Sequence, residues 1–342
     1  MYHELYLQRC IELAEKAEGK TYPNPLVGSV IVHNEKIIGE GYHQQAGQPH
    51  AEINAINSVK NKELLPDSTI YVSLEPCSHF GKTPPCANKI AEIGFKKVII
   101  GSMDTHEKVN GKGKIILENA GIDVVSGFLE KNCRHLNKRF FTFHEKKRPY
   151  LILKWAESND GFIDKNFQPI QIGNSLTKQF VHHLRSKEHA ILIGTQTALN
   201  DNPSLTTREI AGRNPVRILI DFDLKVPENF KIFNSEAKTI IINSKKNFEK
   251  ENLKFIKVEK ENFLNDLMEK LYEEQIQSVL IEGGCFTLQK FMEADLWDEI
   301  IIIKNENLTL ENGTKSPKVL LNPTKIQTFR DNKIHFYRKN EI

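Results

Sequence analysis

Apolar residues near the start of the chain recur at helical spacing. Leu5, Cys10, Ile11, Leu13, Ala14 and Ala17 share one face, so a helix is expected over residues 5–17, ending at Gly19. Two prolines, Pro23 and Pro25, then forbid a regular element over 22–25. Apolar runs over 27–33 and 36–42 flank Asn34 and Glu35 and predict a hairpin. Further on, helices are expected over 50–60, 86–94 and 112–120, with strands over 69–74, 97–101 and 123–126. A charged stretch closed by Pro149 breaks the pattern, which gives expected domains at residues 1–146 and 147–342. The pattern then restarts with strands over 150–156, 190–194, 216–221, 239–243, 278–281 and 299–304. Helices are expected between them over 176–187, 263–274 and 287–294. Strands alternating with helices in both halves predict an α/β fold with mostly parallel sheets.

Composition narrows the partners. A length of 342 residues suits about two domains, and 39% hydrophobic with 27% charged residues is ordinary for a soluble protein. The net charge is only +3 and neither half is strongly basic, so no nucleic-acid partner is expected; a small anionic ligand stays open. No apolar run reaches the length of a membrane span and no signal-peptide core is visible, so no membrane partner and a cytoplasmic location are expected. Five irregularly spaced cysteines argue against a disulfide framework. Cys10, Cys133 and Cys285 read as core thiols. A homo-oligomer is the expected assembly.

The chemistry concentrates at His50, Glu52, Cys77 and Cys86. His50 and Glu52 open one expected helix and Cys86 opens another, while Cys77 follows a strand. One imidazole and two thiolates suit Zn²⁺ and leave a fourth tetrahedral position for water, whose pKa the ion lowers towards ~7. A helix N-terminus favours a thiolate, which points to Cys86 as the anionic partner. Glu52 does not belong to the ligand set; a carboxylate beside the metal is the natural proton shuttle. The H-x-E…P-C…C order is a zinc-deaminase signature of enzymes acting on nucleobases. A closed structural zinc site with a fourth ligand from His43 or His79 is the competing reading. The two cysteines lie nine positions apart rather than three, and the inserted loop carries His79 and Lys82. Lys82 could hold a phosphate or could be an ordinary surface lysine.

In the second half, polar clusters follow three expected strands: residues 154–161, 195–208 and 282–284. An open α/β sheet places its ligand crevice at such strand ends. Gly283 and Gly284 would let backbone approach a phosphate at a helix N-terminus, although a tight turn explains a Gly pair as well. No G-x-G-x-x-G is present, so a Rossmann fingerprint is absent. Arg185 and Arg208 suit a phosphate, with surface ion pairs as the alternative. Lys154 suits a sugar oxygen, with a structural strand-end lysine as the alternative.

Residues 23–28 (PNPLVG), 39–43 (GEGYH), 49–53 (PHAEI) and 74–86 (LEPCSHFGKTPPC) resemble the deaminase half of the bifunctional riboflavin-biosynthesis deaminase/reductases. The three clusters of the second half resemble the reductase half. The resemblance implies a cytidine-deaminase-like domain followed by a dihydrofolate-reductase-like domain, with Zn²⁺ and NADPH as cofactors. It implies a small phosphorylated pyrimidine substrate, deaminated first and then reduced from ribosyl to ribityl. It further implies substrate contacts from Asn24, His43, His79, Lys82, Arg185, Leu205, Arg208 and Glu282. Cofactor contacts are implied for Lys154, Ala156, Gln171, Thr197, Asp201, Gly283 and Gly284. The chain departs from the family pattern at His106, Asn159 and Gln171. A deaminase of tRNA or free nucleosides, and a zinc-stabilised nucleotide-binding module, are the competing functions.

Overall fold

The computed structural model describes residues 2–78, 84–106, 109–166 and 168–339. The chain divides between Lys146 and Lys147 into two compact units. The first contains α1 (Tyr2–Glu15), β1 (Gly28–His33), β2 (Lys36–Tyr42), α2 (Ala51–Ser58), β3 (Thr69–Leu74), α3 (Cys86–Ile93), β4 (Lys97–Ser102), α4 (Lys112–Asn119), β5 (Asp123–Ser126), α5 (Glu130–Leu136) and α6 (Lys138–Lys146). Its five strands run β2-β1-β3-β4-β5.

Period-two alternation builds this unit, because both sheet faces are covered. Ile31, Ile70, Val72, Val98 and Ile100 face a core shared with α2, α3 and α4. Their neighbours Val30, Val32, Tyr71 and Ile99 face the opposite side, against Leu7, Cys10 and Leu13 of α1. The expected hairpin turns on Asn34 and Glu35, both with positive φ (46° and 60°), as a two-residue turn requires. The expectation of a mostly parallel sheet is corrected here. Only β3, β4 and β5 pair in parallel; β1 is antiparallel to both β2 and β3.

The second unit contains β6 (Tyr150–Ser158), α7 (Ser175–Lys187), β7 (Ala190–Gly194), α8 (Thr195–Asp201), β8 (Val216–Ile220), β9 (Thr239–Asn243), β10 (Phe248–Lys250), β11 (Leu253–Lys257), α9 (Phe263–Glu273), β12 (Ser278–Ile281), α10 (Cys285–Glu293), β13 (Glu299–Asn305), β14 (Lys325–Phe329) and β15 (Asn332–Arg338). The strand order is β10-β11-β9-β8-β7-β12-β6-β13-β15-β14, parallel from β11 to β13 with an antiparallel addition at each edge. Leu151, Leu153 and Trp155 of β6 pack towards α9 and α10, whereas Tyr150 and Ile152 pack towards α7 and α8.

This order sets the position of the chemistry. β7, β12 and β6 are neighbours, so the three polar clusters that end them converge on one edge of the sheet although up to about 130 residues separate them in sequence. α10 begins at Cys285, two residues before its expected start. Cys285 is therefore half-buried beside a cleft rather than a core thiol, whereas Cys10 and Cys133 are fully buried.

Candidate active sites

Three elements assemble the first site. His50 is the extended N-cap of α2 (φ −71°, ψ 166°), so its ring leaves the helix axis. Cys77 lies in the loop after β3, and Cys86 is the first residue of α3. His50 Nδ1 is 3.5 Å from Cys77 Sγ and 3.3 Å from Cys86 Sγ. All three ligand atoms lie within 4.8 Å of one another. Tetrahedral zinc with ordinary Zn–N and Zn–S bonds separates nitrogen from sulfur by about 3.6 Å, so the donor set and its spacing fit the ion. Among the described residues no fourth His, Cys, Asp or Glu joins the group. Three donors are the number a catalytic zinc site uses, with water in the fourth position; His43 is not in the group, and His79 lies outside the described residues.

The first N–H of α3, that of Cys86, donates to Cys77 Sγ at 3.3 Å. The helix N-terminus therefore serves Cys77. Hydrogen bonding from Cys86 and His50 holds the Cys77 thiol down at about 4, against desolvation. The Cys77 sulfur together with burial pushes Cys86 up. Glu52, in the first turn of α2, is buried; desolvation and the neighbouring Cys77 raise its carboxyl to about 7.

His43 and Asn24 border this site. The His43 ring meets His50 edge-on, with centroids 5.3 Å apart. Its Nδ1 is 3.2 Å from the Pro49 carbonyl and its Nε2 is 3.1 Å from the Asn24 amide nitrogen. The carbonyl can only accept, which assigns the proton to Nδ1 and leaves Nε2 to accept from Asn24. Burial lowers the His43 pKa, consistent with that neutral form. Asn137, between α5 and α6, bonds both the N–H and the C=O of Leu26 at 2.8 Å and so fixes the loop that presents Asn24. Asp104 is buried and raised to about 6, chiefly by desolvation. His106, at a departure from the family pattern, stacks edge-on against His144 at 4.4 Å. His79 and Lys82 lie outside the described residues.

The second site is a cleft of about 960 Å³ at the C-terminal ends of β6, β7 and β12. Lys154, Ala156, Thr197, Asp201, Glu282, Gly283 and Gly284 all line it. Glu282 is the electrostatic centre. Its carboxylate meets Arg185 Nη2 at 2.8 Å and Lys154 Nζ at 3.4 Å, with all three side chains nearly buried. Desolvation opposes the charge on Glu282, but Arg185 and Lys154 outweigh it and hold the carboxyl at about 2. Burial draws the Lys154 ammonium below its ordinary range, with Glu282 opposing.

Close backbone approach shapes the floor. A Cβ on Gly194 would stand 2.6 Å from Thr287 Oγ1, and one on Gly283 would stand 3.2 Å from the Gly194 nitrogen. The Gly284 N–H donates to Thr197 Oγ1 at 2.7 Å. Arg185 reaches the cleft through its ion pair with Glu282, and three further expected contacts lie off the cleft lining. Gln171 is exposed and its amide bonds the Gly173 carbonyl at 3.2 Å. Its neighbours Ile170 and Ile172 line the cleft, so chain alternation turns Gln171 outward. The Leu205 side chain is buried in the core, and its φ of 54° leaves its backbone strained. Arg208 is exposed, outside the cleft lining, with Nη1 3.1 Å from Thr206 Oγ1.

The sequence reading missed His182 on α7, whose Nδ1 accepts the Arg208 backbone N–H at 3.0 Å. The signal was present: His182 and Arg185 are three residues apart, on one helix face. It also missed Arg217. This fully buried arginine on β8 donates to Thr239 Oγ1 and to the carbonyls of Ser204, Lys231, Asn234 and Ala237.

Residues 1–102 match the cytidine and deoxycytidylate deaminase zinc-binding region, and residues 149–305 match the RibD C-terminal domain. The chain is 40% identical over 304 residues to the riboflavin biosynthesis protein RibD of Aquifex aeolicus, covering 87% of this chain and 85% of that one. It is 34% identical to the Escherichia coli RibD, covering 88% and 87%. The crystal structure of a diaminohydroxyphosphoribosylaminopyrimidine deaminase/5-amino-6-(5-phosphoribosylamino)uracil reductase from Thermotoga maritima superposes with a TM-score of 0.89 at 33% identity, covering 98% of both chains. An Acinetobacter baumannii RibD structure gives 0.88 at 29% identity, again covering 98% of both.

Proposed function

The chain belongs to the RibD family of riboflavin-biosynthesis proteins, and on that premise we propose that residues 1–146 form its deaminase domain and residues 147–342 its reductase domain. It is a bifunctional deaminase and reductase of riboflavin biosynthesis, with a cytidine-deaminase-like domain preceding a RibD-type reductase domain. Zinc and NADPH are its cofactors, and its substrate is a small phosphorylated pyrimidine.

The first reaction is hydrolysis of the amino group from 2,5-diamino-6-(5-phosphoribosylamino)pyrimidin-4-one. The single observation that carries its assignment is the His50, Cys77 and Cys86 donor set beside the buried carboxylate of Glu52. These three residues would hold a zinc ion, which would supply an acidified water at neutral pH. Glu52 removes a proton from the attacking water, delivers it to the ring nitrogen and then assists departure of ammonia. Asn24 holds the pyrimidine edge, and the His43 ring borders the pyrimidine and orients the Asn24 amide. His43 stays neutral and keeps its Nε2 paired with the Asn24 amide, so both rings of the site are oriented before substrate arrives. His79 and Lys82, outside the described residues, complete the substrate contacts in this reading.

The second reaction reduces the ribosyl group of the deaminated product to ribityl. NADPH bound in the cleft would supply the hydride, and the protein supplies placement. Ala156, Thr197, Asp201, Gly283 and Gly284 hold the cofactor in the cleft, which the close approach of Gly194 and Gly283 supports. Arg185, Arg208 and Glu282 hold the substrate, with Arg208 on its phosphate. The two cations on one carboxylate leave a net positive charge that favours an anionic substrate. Lys154 faces the sugar oxygen and supplies its proton. Gln171 and Leu205 complete the pocket through backbone atoms.

Near-neutral charge supports a protein without a nucleic-acid partner, and five free cysteines support a cytoplasmic location. Glu52→Gln tests the first assignment. The variant should retain bound zinc by elemental analysis, lose ammonia release by a factor of about 10² or more, and keep NADPH oxidation on deaminated substrate. Ammonia release at the parent rate rejects Glu52 as the proton carrier.

A further inference from the structure

We infer that His182 is a positioning residue of the reductase site: it holds the backbone at Arg208 so that the Arg208 guanidinium meets the substrate phosphate. The inference rests on the reading of Arg208 as a phosphate contact.

α7 presents one stripe, at positions i, i+4 and i+7, to three different partners. Lys178 pairs with Glu209 at 2.7 Å, His182 accepts from the Arg208 N–H at 3.0 Å, and Arg185 pairs with Glu282 at 2.8 Å. The helix thus ties the Arg208 segment and the cleft carboxylate to a single rigid element. Residues 203–215 lie outside helices and strands, and among them the Thr207 and Arg208 N–H groups bond side chains. Arg217 reaches the Ser204 carbonyl, Leu205 is buried in the core, and Asn214 accepts from the Thr207 N–H at 2.9 Å. His182 supplies the remaining clamp, at the arginine itself.

The imidazole suits this task. It is 2% exposed, so its acceptor lone pair is shielded from competing water. It can accept at Nδ1 only in the neutral form. Burial, then the charges of Arg185 and Arg208, keep it neutral by lowering its pKa to about 4. The arginine that needs positioning therefore helps to keep its own clamp in the accepting state.

The test uses the full chain, 5-amino-6-(5-phosphoribosylamino)uracil as substrate, and the same compound without its phosphate. His182→Leu removes the acceptor; His182→Asn returns one near the position of Nδ1. His182→Leu should weaken binding of the phosphorylated compound roughly tenfold, measured by calorimetry without NADPH. KM should rise in parallel while kcat stays within about twofold of the parent. Binding of the dephosphorylated compound, NADPH affinity and deamination in the same chain should be unchanged. His182→Asn should recover most of the loss. Equal weakening of both compounds, a loss confined to kcat, or no rescue by His182→Asn overturns the inference. An Arg208→Ala background separates the two levels. If Arg208→Ala weakens phosphate binding and His182→Leu then adds its full effect, the clamp is rejected and the phosphate reading stands. If Arg208→Ala changes nothing, the phosphate reading fails and the clamp falls with it.

Discussion

Glu282 is buried with two cations against it, Arg185 at 2.8 Å and Lys154 at 3.4 Å. Removing one member of such a group strands the others, which typically costs about 3–5 kcal/mol. The carboxyl titrates at about 2 in the folded protein, below its ordinary value near 4.5. Its contribution to stability is therefore complete above about pH 4.5 and is lost as the pH falls towards 2. Glu282→Gln should be less stable than the parent at pH 7 in urea titrations, and the gap should narrow at pH 3. A gap that is the same at both pH values contradicts the assignment of charge to this group. Residue-scale legibility differed between the two sites. His50, Glu52, Cys77 and Cys86 were readable because metal ligation restricts residue type and spacing so tightly. Gln171 and Leu205 were not, because which way a loop side chain turns depends on core packing that no motif encodes.

Strands with both faces buried were legible almost to the residue: β3, β7, β9 and β12 begin and end where the hydrophobic pattern predicts, as does the only partly buried β5. Elements with little buried surface were not. β10 is exposed at all three positions, and β14 at most of its five, so neither has an apolar signal. α5 and α6 escaped because their core contacts come from Cys133 and from Phe140, Phe141 and Phe143, without a sustained helical period. The segment between β7 and β8 shows the same limit. It and the segment between β8 and β9 are held by Arg217, a single charged residue inside the hydrophobic run of β8, whose bonds to one carbonyl of the first (Ser204) and three of the second (Lys231, Asn234 and Ala237) reveal themselves only in three dimensions. Arg217→Met should destabilise the protein by about 3 kcal/mol or more, since it leaves several buried carbonyls without donors. Thermal unfolding measures this; a midpoint within a degree of the parent rejects Arg217 as the anchor of these loops.

At the scale of the molecule, one chain carries two units with separate cores, one arranged for hydrolysis at a metal and one for reduction in a cleft. The residue sets of the two sites do not overlap, so each reaction should survive loss of the other. The overall order was legible because the sequence pattern restarts after Pro149. The measurement that bears most directly on the account follows ammonia and NADPH separately in protein stripped of zinc by a chelator. With the diaminopyrimidine as substrate, neither ammonia release nor NADPH oxidation should occur. Adding 5-amino-6-(5-phosphoribosylamino)uracil to the same stripped protein should restore NADPH oxidation, and returning zinc should restore both signals on the diaminopyrimidine. NADPH oxidation on the diaminopyrimidine without ammonia release, or none on the deaminated compound, would contradict the account.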